Sequence, residues 1–209
     1  MRWLLNYKFE MALGAGAYCL CFMSLQFWQM LAARAGLFAA GAIVMLLLRQ
    51  SSMLYVPDPS GTGVRGNSAN PKMYRSPEEW GMPFERVAAT AADGTRLHWW
   101  FMPQPKHFLG SPVRQTAPTV IYLHGNAGNC GTRLQLYFEM YDALEINLLA
   151  VEYRGYGECG GEPSEEGLAL DARAAIDFVR TRTDIDQSKV FLFGRSLGGA
   201  VAIRLAKHL

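Results

Sequence analysis

The sequence predicts an α/β fold behind an apolar N-terminal helix, and three observations lead there. Residues Met11 to Leu48 hold a single charged side chain, Arg34, whereas the other 171 of the 209 residues hold the remaining 37. From Phe84 onward, short β-rich runs alternate with stretches of helical spacing, as in a mostly parallel sheet with crossover helices. Three glycine-rich segments each follow one of those runs, where the loops at the carboxyl ends of parallel strands gather into sites. With 20 Lys and Arg against 18 Asp and Glu and no basic block, the composition argues against nucleic acid as a partner. Half of the residues are hydrophobic and four are cysteine, which excludes a disordered chain and a disulfide scaffold.

A helix that crosses a bilayer needs ~20 apolar residues at ~1.5 Å each. Residues 11–48 exceed one span but leave little for a second span and its turn. One span over about 31–48 is expected, with Arg34 snorkelling near one end. The part before it is either interfacial or the start of a hairpin. Residues 1–48 thus read as a membrane anchor whose partner is the bilayer. Arg2, Lys8 and Arg34 precede the span and Arg49 and Arg65 follow it, so basic residues do not set its orientation. Residues 49–83 carry five prolines and four glycines, a density that opposes continuous helix or interior strand and reads as a linker.

The remainder, 84–209, alternates. Phe84–Thr90 and Thr95–Met102 are β-rich runs joined through Asp93-Gly94, a strong hairpin signal. After a loop comes Thr119–Leu123, a continuous apolar run suited to a strand buried on both faces. Helical spacing follows over Gly131–Leu144, then a second apolar run over Asn147–Tyr153. Ser164 can cap a helix to about Arg180, with Glu165 and Glu166 placed favourably against its dipole. Lys189–Phe193 is another apolar strand, and helix resumes at Leu197. An antiparallel hairpin therefore leads a mostly parallel sheet with flanking helices.

The last loop reads Gly194-Arg195-Ser196-Leu197-Gly198-Gly199, containing G-x-S-x-G between a strand and a helix. That is the setting of a nucleophile elbow, where serine sits on a sharp turn and its neighbours must be tiny. Ser196 would stand at a helix N-terminus, whose free N–H groups favour developing negative charge. After Thr119–Leu123 comes His124-Gly125-Asn126-Ala127-Gly128-Asn129. Its small residues let a backbone N–H approach a reacting carbonyl, and Asn126 with Leu197 is the expected oxyanion pair. His124 is read as structural. The middle loop matches G-x-G-x-x-G from Gly155 to Gly160, a dinucleotide pattern. Pro163 and Ser164 start the helix beyond the third glycine, and the next strand ends Phe193-Gly194 without a ribose-binding acid, which weakens that reading. No cofactor and no metal are expected.

Together, HGNAGN, YRGYG with PSEEGL, and FGRSLGGAVAI resemble the α/β-hydrolase superfamily, and within it the membrane-anchored alpha/beta hydrolase domain-containing proteins. The likeness runs from about Val87 to the end. It implies a serine hydrolase acting on an ester, thioester or amide, with a small acyl-type substrate beside a membrane. One departure is Glu152, where these relatives usually carry Asp; it is read as structural.

A catalytic serine needs a general base, and the base an orienting acid. In this superfamily both follow the serine. Behind Ser196 lie only LGGAVAIRLAKHL, without Asp or Glu. His208 is 12 positions down the same helix, ~18 Å away. Asp184 and Asp186 precede the final strand, ~17 Å from the elbow. The strand KVFLF would also be a bare apolar edge. The expectation is a hydrolase domain truncated before its triad acid and histidine and inactive alone; the alternative is a non-catalytic, membrane-tethered interaction protein. The oligomeric state is left open.

Overall fold

A computed structural model of the chain describes residues 2–105 and 117–209. The chain divides into two compact units, 1–50 and 51–209. The first belongs to one helix, α1 (Arg2–Leu54). No proline interrupts it and its four glycines are isolated, so nothing outweighs the backbone hydrogen bonds of an apolar helix. The hairpin alternative is not realised. Within α1, Ser24–Leu54 forms a 31-residue stretch long and apolar enough to cross a membrane.

The second unit is built on five strands: β1 (Glu85–Thr90), β2 (Arg96–Met102), β3 (Thr119–Leu123), β4 (Asn147–Val151) and β5 (Val190–Gly194), in spatial order β1-β2-β4-β3-β5. β1 and β2 form the expected antiparallel hairpin, with Gly94 at φ 85° in its turn. β2 pairs antiparallel with β4, and β3 pairs parallel with both β4 and β5. The loop between β2 and β3 lies largely outside the described residues.

Three helices follow the parallel strands: α2 (Leu134–Leu144), α3 (Glu165–Thr181) and α4 (Leu197–Ala206). Because side chains alternate across a strand, β3 and β4 supply two cores. Ile121, Leu123, Leu149 and Val151 pack with Leu168, Ala172, Ile176 and Val201 of α3 and α4. Val120, Tyr122, Leu148 and Ala150 pack with Leu134, Tyr137 and Tyr141 of α2. This is why TVIYL and NLLAV are apolar after their first residue, and every residue of both strands is buried. Ser164 caps α3, its Oγ accepting from the Gly167 N–H at 3.1 Å.

Among the described residues β5 has a neighbour on one side only, β3. Phe191 and Phe193 are accordingly 55% and 41% exposed, the bare apolar edge that the sequence foreshadowed. The proline-rich segment after α1 contains only short 3-10 turns, over Asn67–Ala69 and Pro77–Trp80. It is nonetheless folded into the second unit, where Tyr55, Asn67 and Met82 are buried.

Candidate active site

The turn from β5 into α4 carries Ser196 at φ 52°, ψ −117°. A non-glycine residue there is strained, at a cost of about 1–3 kcal/mol, and persists only where its surroundings over-determine it. They do so here. A Cβ on Gly194 would overlap the Gly198 carbonyl, and one on Gly198 would overlap the carbonyl oxygen of Leu123. The Arg195 N–H also donates to Leu123 O at 3.1 Å. Strand, turn and helix therefore touch backbone to backbone, and Ser196 stands exposed at the crest.

The loop after β3 lies against this turn. A Cβ on Gly125 would come 3.2 Å from Arg195 O and 3.6 Å from Ser196 Cβ. Gly125, Asn126, Arg133, Arg195 and Ser196 line one cleft. The structure thus brings Ser196, Asn126 and Gly125 together, with Leu197 one residue on and Gly194 and Gly198 beneath. Neither the Asn126 nor the Leu197 N–H donates to a backbone carbonyl outside its own element among the described residues. His124 Nδ1 holds the Gly125 carbonyl at 2.6 Å. In a trans peptide, fixing that oxygen aims the Asn126 N–H the opposite way.

The Asn126 side chain has a different role from its amide. Its Oδ1 accepts from the Val56 N–H (3.0 Å), the Tyr156 hydroxyl (2.7 Å) and the Ala127 N–H (2.9 Å), while Nδ2 donates to Leu54 O at 2.6 Å. Burial pushes the Tyr156 phenol up to about 12, so it remains a donor at neutral pH. Sequence reasoning found Asn126 but neither Tyr156 nor Arg133, whose Nη2 reaches Ala127 O at 2.5 Å. No local pattern marks those long-range contacts.

His124 and Glu152 are buried together, Nε2 to Oε1 2.9 Å. Glu152 Oε2 accepts from the Cys130 N–H at 2.8 Å. Both side chains are internal. The Gly155–Gly160 loop closes on itself, Gly155 N–H to Gly160 O at 2.9 Å, and Gly157 packs against the Glu152 carboxylate. α3 begins only at Glu165, so no helix N-terminus faces this loop.

Arg154 bridges Asp171 at 2.8 Å and Asp93 at 2.6 Å. Burial raises the Asp171 carboxyl even against the pull of Arg154, whereas the same guanidinium holds exposed Asp93 well below the usual carboxylate range. Asp184 and Asp186 pair with Arg182 and Lys189 before β5, and exposed His208 lies beyond α4. None of the three lines the Ser196 cleft.

The chain is similar to several known proteins. The serine aminopeptidase S33 pattern matches residues 114–209. The chain is 36% identical over 174 residues to the alpha/beta hydrolase domain-containing protein WAV2 of Arabidopsis thaliana, covering 83% of the chain and 51% of that relative. It is 35% identical over 164 residues to protein bem46 of Schizosaccharomyces pombe, covering 78% and 50%. The chain thus spans about half the length of these curated relatives. Among solved structures, a Pyrococcus furiosus esterase superposes with a TM-score of 0.51 at 22% identity, over 62% of this chain and 48% of that one. An alpha-beta hydrolase from Vibrio vulnificus gives 0.50 at 24%, over 73% and 58%.

Proposed function

The chain belongs to the α/β-hydrolase superfamily, and from that premise we propose that Ser196 is the nucleophile of a membrane-anchored serine hydrolase. The observation that carries the reading is the strained turn: Ser196 at φ 52° on a strand-to-helix corner where Gly194 and Gly198 admit no side chain. Such a corner lifts the hydroxyl clear of the sheet toward a substrate carbonyl. Attack by Oγ would place the carbonyl oxygen, now negative, between the N–H groups of Asn126 and Leu197. The latter opens α4 and adds the helix dipole. An ester, thioester or amide of a small acyl-type substrate fits this chemistry. The apolar stretch Ser24–Leu54 is the proposed single-pass anchor. Residues 84–209 supply the hydrolase portion, behind an anchor of 1–48 and a connecting segment of 49–83.

The cleft is lined by Gly125, Asn126, Arg133, Arg195 and Ser196, none of which can serve as the general base. The reading therefore leaves base and orienting acid unassigned among the described residues. A second reading, a membrane-tethered interaction protein without catalysis, draws on the same feature. Labelling with a fluorophosphonate probe separates them: a hydrolase yields an adduct that Ser196→Ala abolishes.

A further inference from the structure

Behind the loop that carries Asn126, three metal-ligating side chains meet in the core. His124, Cys130 and Glu152 each offer a donor atom, and these atoms lie within 4.8 Å of one another. They come from the end of β3, the 3-10 turn Cys130–Arg133, and the residue after β4, and none is more than 3% exposed. The partners of the ring decide what it needs. A nitrogen 2.6 Å from the Gly125 carbonyl must carry its proton, so Nδ1 is the donor. In a neutral imidazole that leaves Nε2 as a bare lone pair. Nε2 lies 2.9 Å from Glu152 Oε1, both atoms buried. Two such lone pairs come this close only with a proton or a metal cation between them.

We propose that His124, Cys130 and Glu152 form a binding site for one borderline-soft divalent cation of the Zn²⁺ class. Imidazole and thiolate together select zinc or cadmium over magnesium or calcium, which prefer oxygen ligands. Tetrahedral zinc sets neighbouring nitrogen, oxygen and sulfur donors roughly 3.3–3.7 Å apart, and the present donors lie within 4.8 Å of one another. Cys130 would release its thiol proton to solvent as Sγ bonds the metal. His124 Nδ1 keeps its proton on Gly125 O, which fixes the tautomer. Glu152 Oε2 stays on the Cys130 N–H, leaving Oε1 for the ion. A cavity lined by Asn67, Arg86, His98, Glu158, Cys130 and Glu152 reaches two of the three ligands and offers an entry path.

The site is independent of the chemistry assigned to Ser196, and the whole detergent-solubilised chain tests it with zinc and cadmium alone. The expected result is one tightly bound Zn²⁺ per chain, a raised thermal midpoint, and a thiolate-to-cadmium charge-transfer band with Cd²⁺. Cys130→Ser should weaken zinc at least ~100-fold and remove the band. Cys159→Ser, at the other buried cysteine of the second unit, should leave both unchanged. Circular dichroism verifies that each variant is folded. Should Cys130→Ser misfold, Glu152→Gln must weaken zinc comparably while the cadmium band survives. No stoichiometric zinc, or equal zinc affinity in folded Cys130→Ser, would overturn the proposal and leave a proton as the only charge between His124 and Glu152.

Discussion

Gly198 lies so close to Leu123 that any side chain on Gly198 would overlap the Leu123 carbonyl oxygen. This contact between the first turn of α4 and the end of β3 sets the angle at which Ser196 is presented. It separates two adjacent glycines sharply. At Gly199 the nearest atom to an added Cβ is Gly194 O, at 3.5 Å, an ordinary contact. Gly198→Ala should destabilise by about 1–3 kcal/mol or more, and Gly199→Ala should stay within about 0.5 kcal/mol of the parent. Denaturant midpoints measured on both variants check the pair; equal losses would contradict the packing account.

Arg154 is the sole cation paired with Asp171 among the described residues, and both are buried. Arg154→Ala strands a buried carboxylate and should cost about 3–5 kcal/mol. The exposed arm to Asp93 reports through pH. Asp93 titrates lower in the folded than in the unfolded chain, so the stability it contributes is present above about pH 4 and lost as pH falls further. Asp171, shifted the other way, opposes this trend. Asp93→Asn should therefore flatten the acid side of the stability profile, which urea melts between pH 5 and pH 2 would read.

Asn126→Ala keeps the backbone N–H assigned to the oxyanion but removes the side chain that ties Leu54, Val56 and Tyr156 to the loop. Leaving those groups unpaired should cost about 1–3 kcal/mol. Hydrogen exchange at the Val56 and Ala127 amides, both bonded to Asn126 Oδ1, should quicken locally. Unchanged exchange at Val56 would mean that this junction is not held as described.

How far the sequence carries the fold follows from where its information is local. TVIYL and NLLAV announce doubly buried strands, Asp93-Gly94 a turn and Ser164 a cap, because each signal lies within a few residues of its effect. The tight turn at Ser196 is legible for the same reason, since its small neighbours Gly194 and Gly198 lie within five residues. Asn67 was not. It folds back from the proline-rich segment to accept the Gly131 N–H at 2.8 Å, across 64 residues, and no spacing records that partner. The same limit hid the meeting of His124 with Cys130 and Glu152, whose only sequence signs are a histidine, a cysteine and an acid in different loops. α1 shows the reverse: a locally ambiguous stretch that forms one helix because no proline interrupts it.

The exposed edge of β5 carries its own expectation. Among the described residues β5 pairs on one side only, and Phe191 and Phe193 are exposed there, a template for self-association. Phe191→Lys should lower light scattering of the detergent-solubilised chain without changing its circular dichroism. An unchanged scattering profile would place self-association elsewhere.

The central claim is the nucleophilic serine. The protein, treated with a fluorophosphonate probe and read by mass spectrometry, should carry one adduct, on Ser196. Loss of labelling in Ser196→Ala is the predicted result; equal labelling in that variant, or none in the parent protein, would contradict the account.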